Sequence, residues 1–312
     1  MKTLIDFAPH TQGPFGELFS EPFSDPPVAA PPFGGRDPIR VGDIPESLSG
    51  QPSWKLAQLL TGLNDERSKE LVAFGSLWLN DSVNLDPLAA IGKGCFRLSL
   101  PVYGTGVFYE INRERIVYRD DDVIVYDKEA DRPSQAVPYD AHNNVLAAME
   151  RYTGLTLRLA HRLDAGTSGL LLLAVNRLAS SRLGIAFQSG KVSKRYLALS
   201  LGPKPDWTEK TVEAVIAKEN GRYLARESGP GLKSITKFTV IDERDGVVLF
   251  LAQPLTGRTH QIRLHLAFIG RPIVGDQRYG GKKDVRIMLR ACGLSFSHPG
   301  TGEKMIFGGP WP

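Results

Sequence analysis

Six consecutive apolar residues, LLLLAV from Leu170 to Val175, constrain this sequence more than any other feature. A strand of that kind offers no polar side to water. Both of its faces must be covered, which places its sheet at the centre of a domain. The run is far too short to span a bilayer, which takes about 20 residues. Just before it stands HRLDAGTSG, where Asp164 sits between Leu163 and a Gly/Thr/Ser turn. No further acid occurs until Asp206, while Arg177, Arg182, Lys191, Lys194, Arg195 and Lys204 intervene. A carboxylate at the mouth of a buried strand is partly desolvated, so it either takes up a proton or is held charged by a cationic partner. The local alternative is that Asp164 caps the AGTSG turn.

The surrounding text alternates strands and helices. VIVYDK at 123–128 reads as a strand and NVLAAMERY at 144–152 as a helix; RYLALSLG, ITKFTVIDE and VVLFLAQPL add further β-rich segments. Their order predicts an α+β fold with a mixed, mainly antiparallel central sheet flanked by helices, and a small accessory region before it. We place a Pro/Gly-rich arm at 1–50, the accessory region at 51–112 and the main domain at 113–312. Eight prolines between residues 8 and 38 deny the arm a regular core of its own, while Phe15, Phe19, Phe23 and Phe33 suit a segment that wraps on a domain. In the accessory region WKLAQLLTGL has helical spacing, and LVAFGSLWLN and FRLSLPVYG read as strands. With 42% hydrophobic and 23% charged residues the chain reads as a soluble globular protein. Two cysteines, Cys95 and Cys292, and an N-terminus interrupted by Asp6 point to a reducing, cytoplasmic setting without a secretory signal.

Three familiar chemistries fall away. SGK at 189–191 is followed by Val192 where a phosphate loop needs Ser or Thr, and GTG at 104–106 lacks the third glycine of a dinucleotide fingerprint. His260 and His265 lie about 140° apart around a helix, a poor geometry for a shared metal. A second segment, PLTGRTHQIRLHLAFIGRPIVGD from Pro254, bears more directly on Asp164. Thr259 reads as the N-cap of a helix whose apolar stripe is Ile262, Leu266 and Ile269, with Gly270 and Pro272 as its stop. Arg263 falls in the first turn, off that stripe, and its planar fork suits a half-buried carboxylate. Arg258 suits a phosphate. The net charge is only +4, yet Leu255 to Arg290 holds eight Arg or Lys against Asp276 and Asp284. Such a basic stretch fits a polyanion-binding face. GDQRYG reads as a structural turn.

HRLDAGTSG (161–169), KRY (194–196), PLTGRTHQIRLHL (254–266) and GRPIVGDQRYG (270–280), in that order, resemble the RluA-type RNA pseudouridine synthases. The resemblance runs from about Arg113 to the C-terminus. It implies that Asp164 is the catalytic aspartate, that Arg263 pairs with it, and that Tyr196 lies against the target base. Arg162 enters the RNA where the nucleotide has been extruded, and Leu289 lines the uracil pocket. His161, Thr167 and Lys194, from the same motifs, complete the expected RNA-contacting set with Arg258. Departures are Arg290, where the family usually has His, and EADRPSQ after Lys128 in place of a proline–alanine–glycine turn. ERSKELVAFGSLWLND at 66–81 is similar to a degenerate RNA-binding module, with Asp81 where a glycine is expected.

The implied reaction moves the uracil from N1 to C5 on the same ribose in rRNA or tRNA. It is redox-neutral and adds no water, so no metal and no cofactor is expected, and a monomer is the expected state. A non-catalytic RNA-binding factor on this scaffold would have no use for a buried ion pair that costs desolvation energy. A glycosidase-like hydrolase would need a second carboxylate, for which Asp276 is the one nearby residue.

Overall fold

Asn64, Asn144 and Asn176 each stand before a helix in the computed structural model. Each side chain accepts the N–H three residues on, at 2.9, 3.0 and 2.8 Å. Caps of this type stabilise a helix by about 1 kcal/mol each. Gly62 and Gly154 end two helices in the left-handed conformation. The structure describes residues 39–99, 109–137, 141–284 and 286–308. Most of the expected N-terminal arm, with its four phenylalanines, lies outside them.

The chain forms two units. One comprises Phe23–Asn112 and Arg132–Leu157. Among its described residues are strands β1 (Ile39–Asp43), β2 (Leu77–Leu79), β3 (Ser82–Asn84) and β4 (Cys95–Ser99), in sheet order β1-β4-β2-β3. Its helices are α1 (Ser53–Thr61), α2 (Asp65–Ala73) and α3 (Val145–Thr153). Trp54, Leu56, Leu71, Leu77 and Leu98 pack together in its core. LVAFGSLWLN is therefore not one strand. Leu71 and Val72 are buried on the last turn of α2, Gly75 breaks the chain at φ 83°, and only Leu77–Leu79 is extended. Asn80 and Asp81 both take positive φ in the β2–β3 turn, the conformation a two-residue hairpin asks for. The segment 132–157, read above as part of the domain at 113–312, groups with this unit.

Among the described residues, the other unit comprises Arg113–Asp131 and the chain from Arg158 onward. Its strands are β5 (Ile116–Arg119), β6 (Val123–Lys128), β7 (Arg158–Leu159), β8 (Ser168–Ala174), β9 (Ser193–Leu201), β10 (Glu209–Glu219), β11 (Arg222–Arg226), β12 (Leu232–Arg244), β13 (Val247–Pro254), β14 (Leu289–Ser297) and β15 (Lys304–Phe307). They form one sheet in the order β11-β10-β12-β13-β9-β14-β8-β6-β5, with β15 added to β14 and β7 to β8. Among the described residues, only the β14–β8 pairing is parallel. Helices α4 (Arg177–Gln188) and α5 (Gln261–Phe268) complete the unit. All seven residues of β8 are buried, as its apolar run demands. No helix among the described residues is long and apolar enough to cross a membrane.

The parallel contact positions the site. At Gly169, φ is 105° and a Cβ would stand 2.2 Å from the Ala291 carbonyl oxygen, so only glycine admits this approach of β8 to β14. Ala291 is opposite both Gly169 and Tyr196, which makes one row across three strands. Leu289, two residues before Ala291, shares that face. The loop carrying Asp164 enters β8 beside this row.

Candidate active site

The turn that presents Asp164 is held by the main chain. The Thr167 N–H donates to the Asp164 carbonyl at 3.0 Å, and the fully buried Lys128 ammonium donates to the Ala165 carbonyl at 3.0 Å and the Glu129 carbonyl at 2.7 Å. The carboxylate is thus free of the turn. Its Oδ2 faces Arg263 Nη1 at 3.2 Å and His260 Nε2 at 3.8 Å. Its Oδ1 has no hydrogen-bond partner among the described residues.

Arg263 does pair with Asp164, but Asp276 is its principal partner. Arg263 Nε and Nη2 donate to the two Asp276 oxygens at 2.7 and 2.8 Å, a bidentate pair in which the carboxylate is 1% exposed and the arginine 7%. GDQRYG is therefore more than a structural turn. Burial opposes the charge on Arg263, but the hydrogen bond and charge of Asp276, then Asp164, more than offset it and raise its pKa. Its guanidinium also lies 5.0 Å over the Tyr279 ring.

Two details of α5 differ from expectation. Thr259 is not its cap; His260 holds that position in the left-handed conformation, at φ 56° and ψ 20°, with no side-chain cap. The helix start is secured instead by Gln261. Its Oε1 accepts from the Thr256 hydroxyl and the Arg258 N–H, and its Nε2 donates to the Ile235 carbonyl and the Thr236 hydroxyl. Nor does α5 keep a polar face at its start, since every residue from Gln261 to Leu266 is buried. Arg263 is tolerated there because two carboxylates meet it.

The remaining expected residues divide. Tyr196 is buried, and burial followed by the charge of Asp164 pushes its hydroxyl pKa up, so it stays protonated. Leu289 is buried in the same row. Lys194 is half-buried under the Gly257 loop, its Nζ 3.6 Å from where a Cβ there would stand, and burial lowers its pKa. Arg162 is exposed. Arg258, also exposed, donates from Nε to the Lys233 carbonyl at 3.1 Å. Thr167 is buried and closes the turn. His161 is engaged structurally: its Nε2 accepts the Leu172 N–H at 3.2 Å and its ring stacks on Phe187. Arg290, the family departure, binds Asp127 at 2.7 Å; the pleat turns it to the face opposite Leu289 and Ala291.

The sequence raises His260 only as a metal partner of His265 and does not single out Tyr279. His260 Nδ1 lies 2.6 Å from the Tyr279 hydroxyl, and its ring meets the rings of Tyr279 and Tyr223 edge-on. A non-glycine residue at positive φ, in a run of polar motif residues, is the signal that could have found it, but only a structure displays φ.

His265 and His161 give the fold an acid sensitivity. His265 is fully buried with its Nε2 2.7 Å from Ser234 Oγ; the Ser234 hydroxyl donates to the Ala214 carbonyl, so Nε2 carries the proton. Burial pushes its pKa down to about 4, and burial and then the charge of Lys194 push that of His161 down to about 3. Both values lie below the unfolded 6.5. Their contribution is therefore intact above pH 6.5 and is lost as pH falls through the interval toward the folded pKa, as the unfolded chain alone binds protons. At about 1.4 kcal/mol per unit, His265 should cost about 2–3 kcal/mol by pH 4.5. Urea midpoints of wild type and His265→Gln at pH 7 and pH 4.5 should show the smaller loss in the variant. Equal losses would refute this assignment.

An RNA pseudouridine synthase of Bacillus subtilis, YjbO, described as uncharacterized, is 37% identical over 205 residues, covering 63% of this chain and 72% of that protein. The chain belongs to the RNA pseudouridine synthase family. The family described as RNA pseudouridylate synthase matches residues 122–268. The ribosomal large subunit pseudouridine synthase C of Escherichia coli K12 is 35% identical over 216 residues, 62% of this chain and 66% of that one. Among solved structures, human RNA pseudouridylate synthase domain containing 1 superposes with a TM-score of 0.55 at 28% identity, over 65% of this chain and 87% of its own. The mixed, mainly antiparallel sheet with its flanking helices is the pseudouridine synthase fold, and the chain is an isomerase of RNA uridine.

Proposed function

We propose that the enzyme isomerises specific uridines of structured RNA, with large-subunit ribosomal RNA as the substrate and Asp164 as the nucleophile or base. The observation that carries this is the split state of the Asp164 carboxylate: Oδ2 is held by Arg263 while Oδ1 is left for substrate, next to the buried Tyr196–Ala291–Gly169 row. The N1–C1′ bond breaks, the uracil turns, C5–C1′ forms, C5 gives its proton to solvent and N1 takes one, so the product is an isomer. The target must leave the stack, at a cost of a few kcal/mol that a plug and a stacking ring offset. Exposed Arg162 serves as the plug, Tyr196 as the ring against the base, and Leu289 as the pocket wall. Lys194 and Arg258 hold the RNA backbone; His161 and Thr167 act indirectly, through the turn and strand they brace.

Ribosomal RNA is favoured because relatives of this chain carry the name of large-subunit synthases. A redox-neutral rearrangement requires no metal or cofactor, and the enzyme is proposed to act as a cytoplasmic monomer. The helix–helix–hairpin order of the other unit, with Arg97 stacked 4.2 Å over Trp78, suits an accessory hold on RNA. The test is tritium release from ribosomal and transfer RNA transcripts labelled at C5 of uracil, since C5 loses its hydrogen only on becoming the glycosidic carbon. Release from the ribosomal transcript is expected. Release from transfer RNA alone would overturn the substrate assignment, and none from either despite tight binding would overturn the activity.

A further inference from the structure

His260 combines three features. It is held in a left-handed conformation that a non-glycine residue adopts at a cost. It is sandwiched by Tyr279 and Tyr223, with its Nδ1 2.6 Å from the Tyr279 hydroxyl. Its other nitrogen, Nε2, is aimed at the one oxygen of Asp164 that Arg263 also holds. If that nitrogen carried a lone pair, it would face a carboxylate at 3.8 Å and repel it. The favourable arrangement has the Tyr279 O–H donating to Nδ1, which leaves the ring proton on Nε2, facing Asp164.

We propose that His260 is the positioning residue of this site. The Tyr279–His260 pair presents a ring N–H to Oδ2 of Asp164 and, with Arg263, fixes the carboxylate so that Oδ1 is the atom offered to the uridine. The inference rests on the catalytic reading of Asp164 given above. At 3.8 Å the contact is too long for a hydrogen bond. It is poised to close when RNA excludes water, as catalytic hydrogen bonds often do only in the substrate complex.

The groups facing the ring set its protonation. Burial lowers the His260 pKa, Asp164 and then Asp276 oppose this, and Arg263 and Arg278 reinforce it; Tyr279, whose own pKa is raised chiefly by burial, keeps its proton. Tyr223 offers only a ring edge. The ring is therefore neutral at neutral pH. Protonation on acidification makes it a double donor, which breaks the Tyr279 O–H to Nδ1 bond and draws the carboxylate toward Nε2.

The test uses the full chain and the labelled ribosomal transcript, with single-turnover tritium release, RNA affinity and melting temperature read in parallel. His260→Gly should melt no lower than wild type, because glycine relieves the left-handed strain. It should bind RNA within about twofold of wild type yet react about 10²-fold more slowly, the scale of a misplaced reacting group. His260→Gln, whose side-chain N–H can replace the ring donor but cannot titrate, should recover most of the rate and lose the acid-side fall attached to the ring. Free imidazole should partly restore the glycine variant. A glycine variant reacting at the wild-type rate, or a glutamine variant as slow as the glycine one with no response to imidazole, would overturn the proposal. A wild type that releases no tritium from either transcript would instead sink the catalytic reading itself.

Discussion

Asp164→Asn should abolish tritium release from C5-labelled RNA while leaving the protein folded and able to bind. Removal of a nucleophile or base of this kind lowers turnover by about 10⁴-fold or more. The structural cost is small for a definite reason. The Asp164 side chain is 27% exposed, its turn is held by main-chain bonds and Lys128, and the amide oxygen of asparagine can still accept from Arg263 at Oδ2. Arg263 keeps its bidentate pair with Asp276 in any case. The change should therefore cost at most about 1 kcal/mol of stability, as expected for a partly exposed pair. RNA affinity should stay within a few-fold, because Arg162, Lys194 and Arg258, the cations proposed to hold RNA, are untouched. Single-turnover release, melting and filter binding on the same preparation decide it. Equal release by both proteins would leave the activity intact and the role of Asp164 wrong; a variant that fails to fold would mean the carboxylate is structural.

What the sequence could display follows from the range of each interaction. The apolar run 170–175 and the strand 123–128 are local patterns, and both lie where they were read. The helix at Asn144 is likewise local: its cap and its periodicity sit within ten residues. The meeting of Arg263 with Asp164, 99 residues apart, was inferred through a family resemblance and from the chemistry of a desolvated carboxylate. Which carboxylate dominates Arg263 was not legible. Asp276 and Asp164 are the same residue type, and the choice depends on one being 1% and the other 27% exposed, a property of the assembled fold. The cap of α5 failed similarly. Thr259 satisfies every local preference, yet Gln261 reaches β12 and takes over the loop before the helix, leaving His260 in a left-handed conformation uncommon for any residue but glycine. The parallel β8–β14 contact depends on Gly169 meeting a strand 122 residues away, and its glycine reads in sequence as an ordinary turn residue.

Asp276→Ala should be the most destabilising single change in the site. Arg263 is a guanidinium 7% exposed, and removal of its bidentate partner leaves a buried charge with only the 3.2 Å contact to Asp164. Breaking a buried pair from one side costs about 3–5 kcal/mol, which for a unit of this size lowers the melting temperature by roughly 10 °C. The activity should fall too, for a separate reason. Freed from Asp276, the fork of Arg263 can turn both of its arms onto Asp164 and engage Oδ1, the oxygen proposed to act on the uridine. The two effects separate in the double variant Asp276→Ala with Arg263→Met. An apolar chain of similar length removes the stranded charge, so most of the lost stability should return while turnover does not. Melting curves and single-turnover rates on the wild type and the two variants are the measurement. An Asp276→Ala protein that melts with wild type would show that Asp164 and solvent suffice for Arg263. A double variant that regains activity would show that Arg263 serves the fold and not the orientation of Asp164.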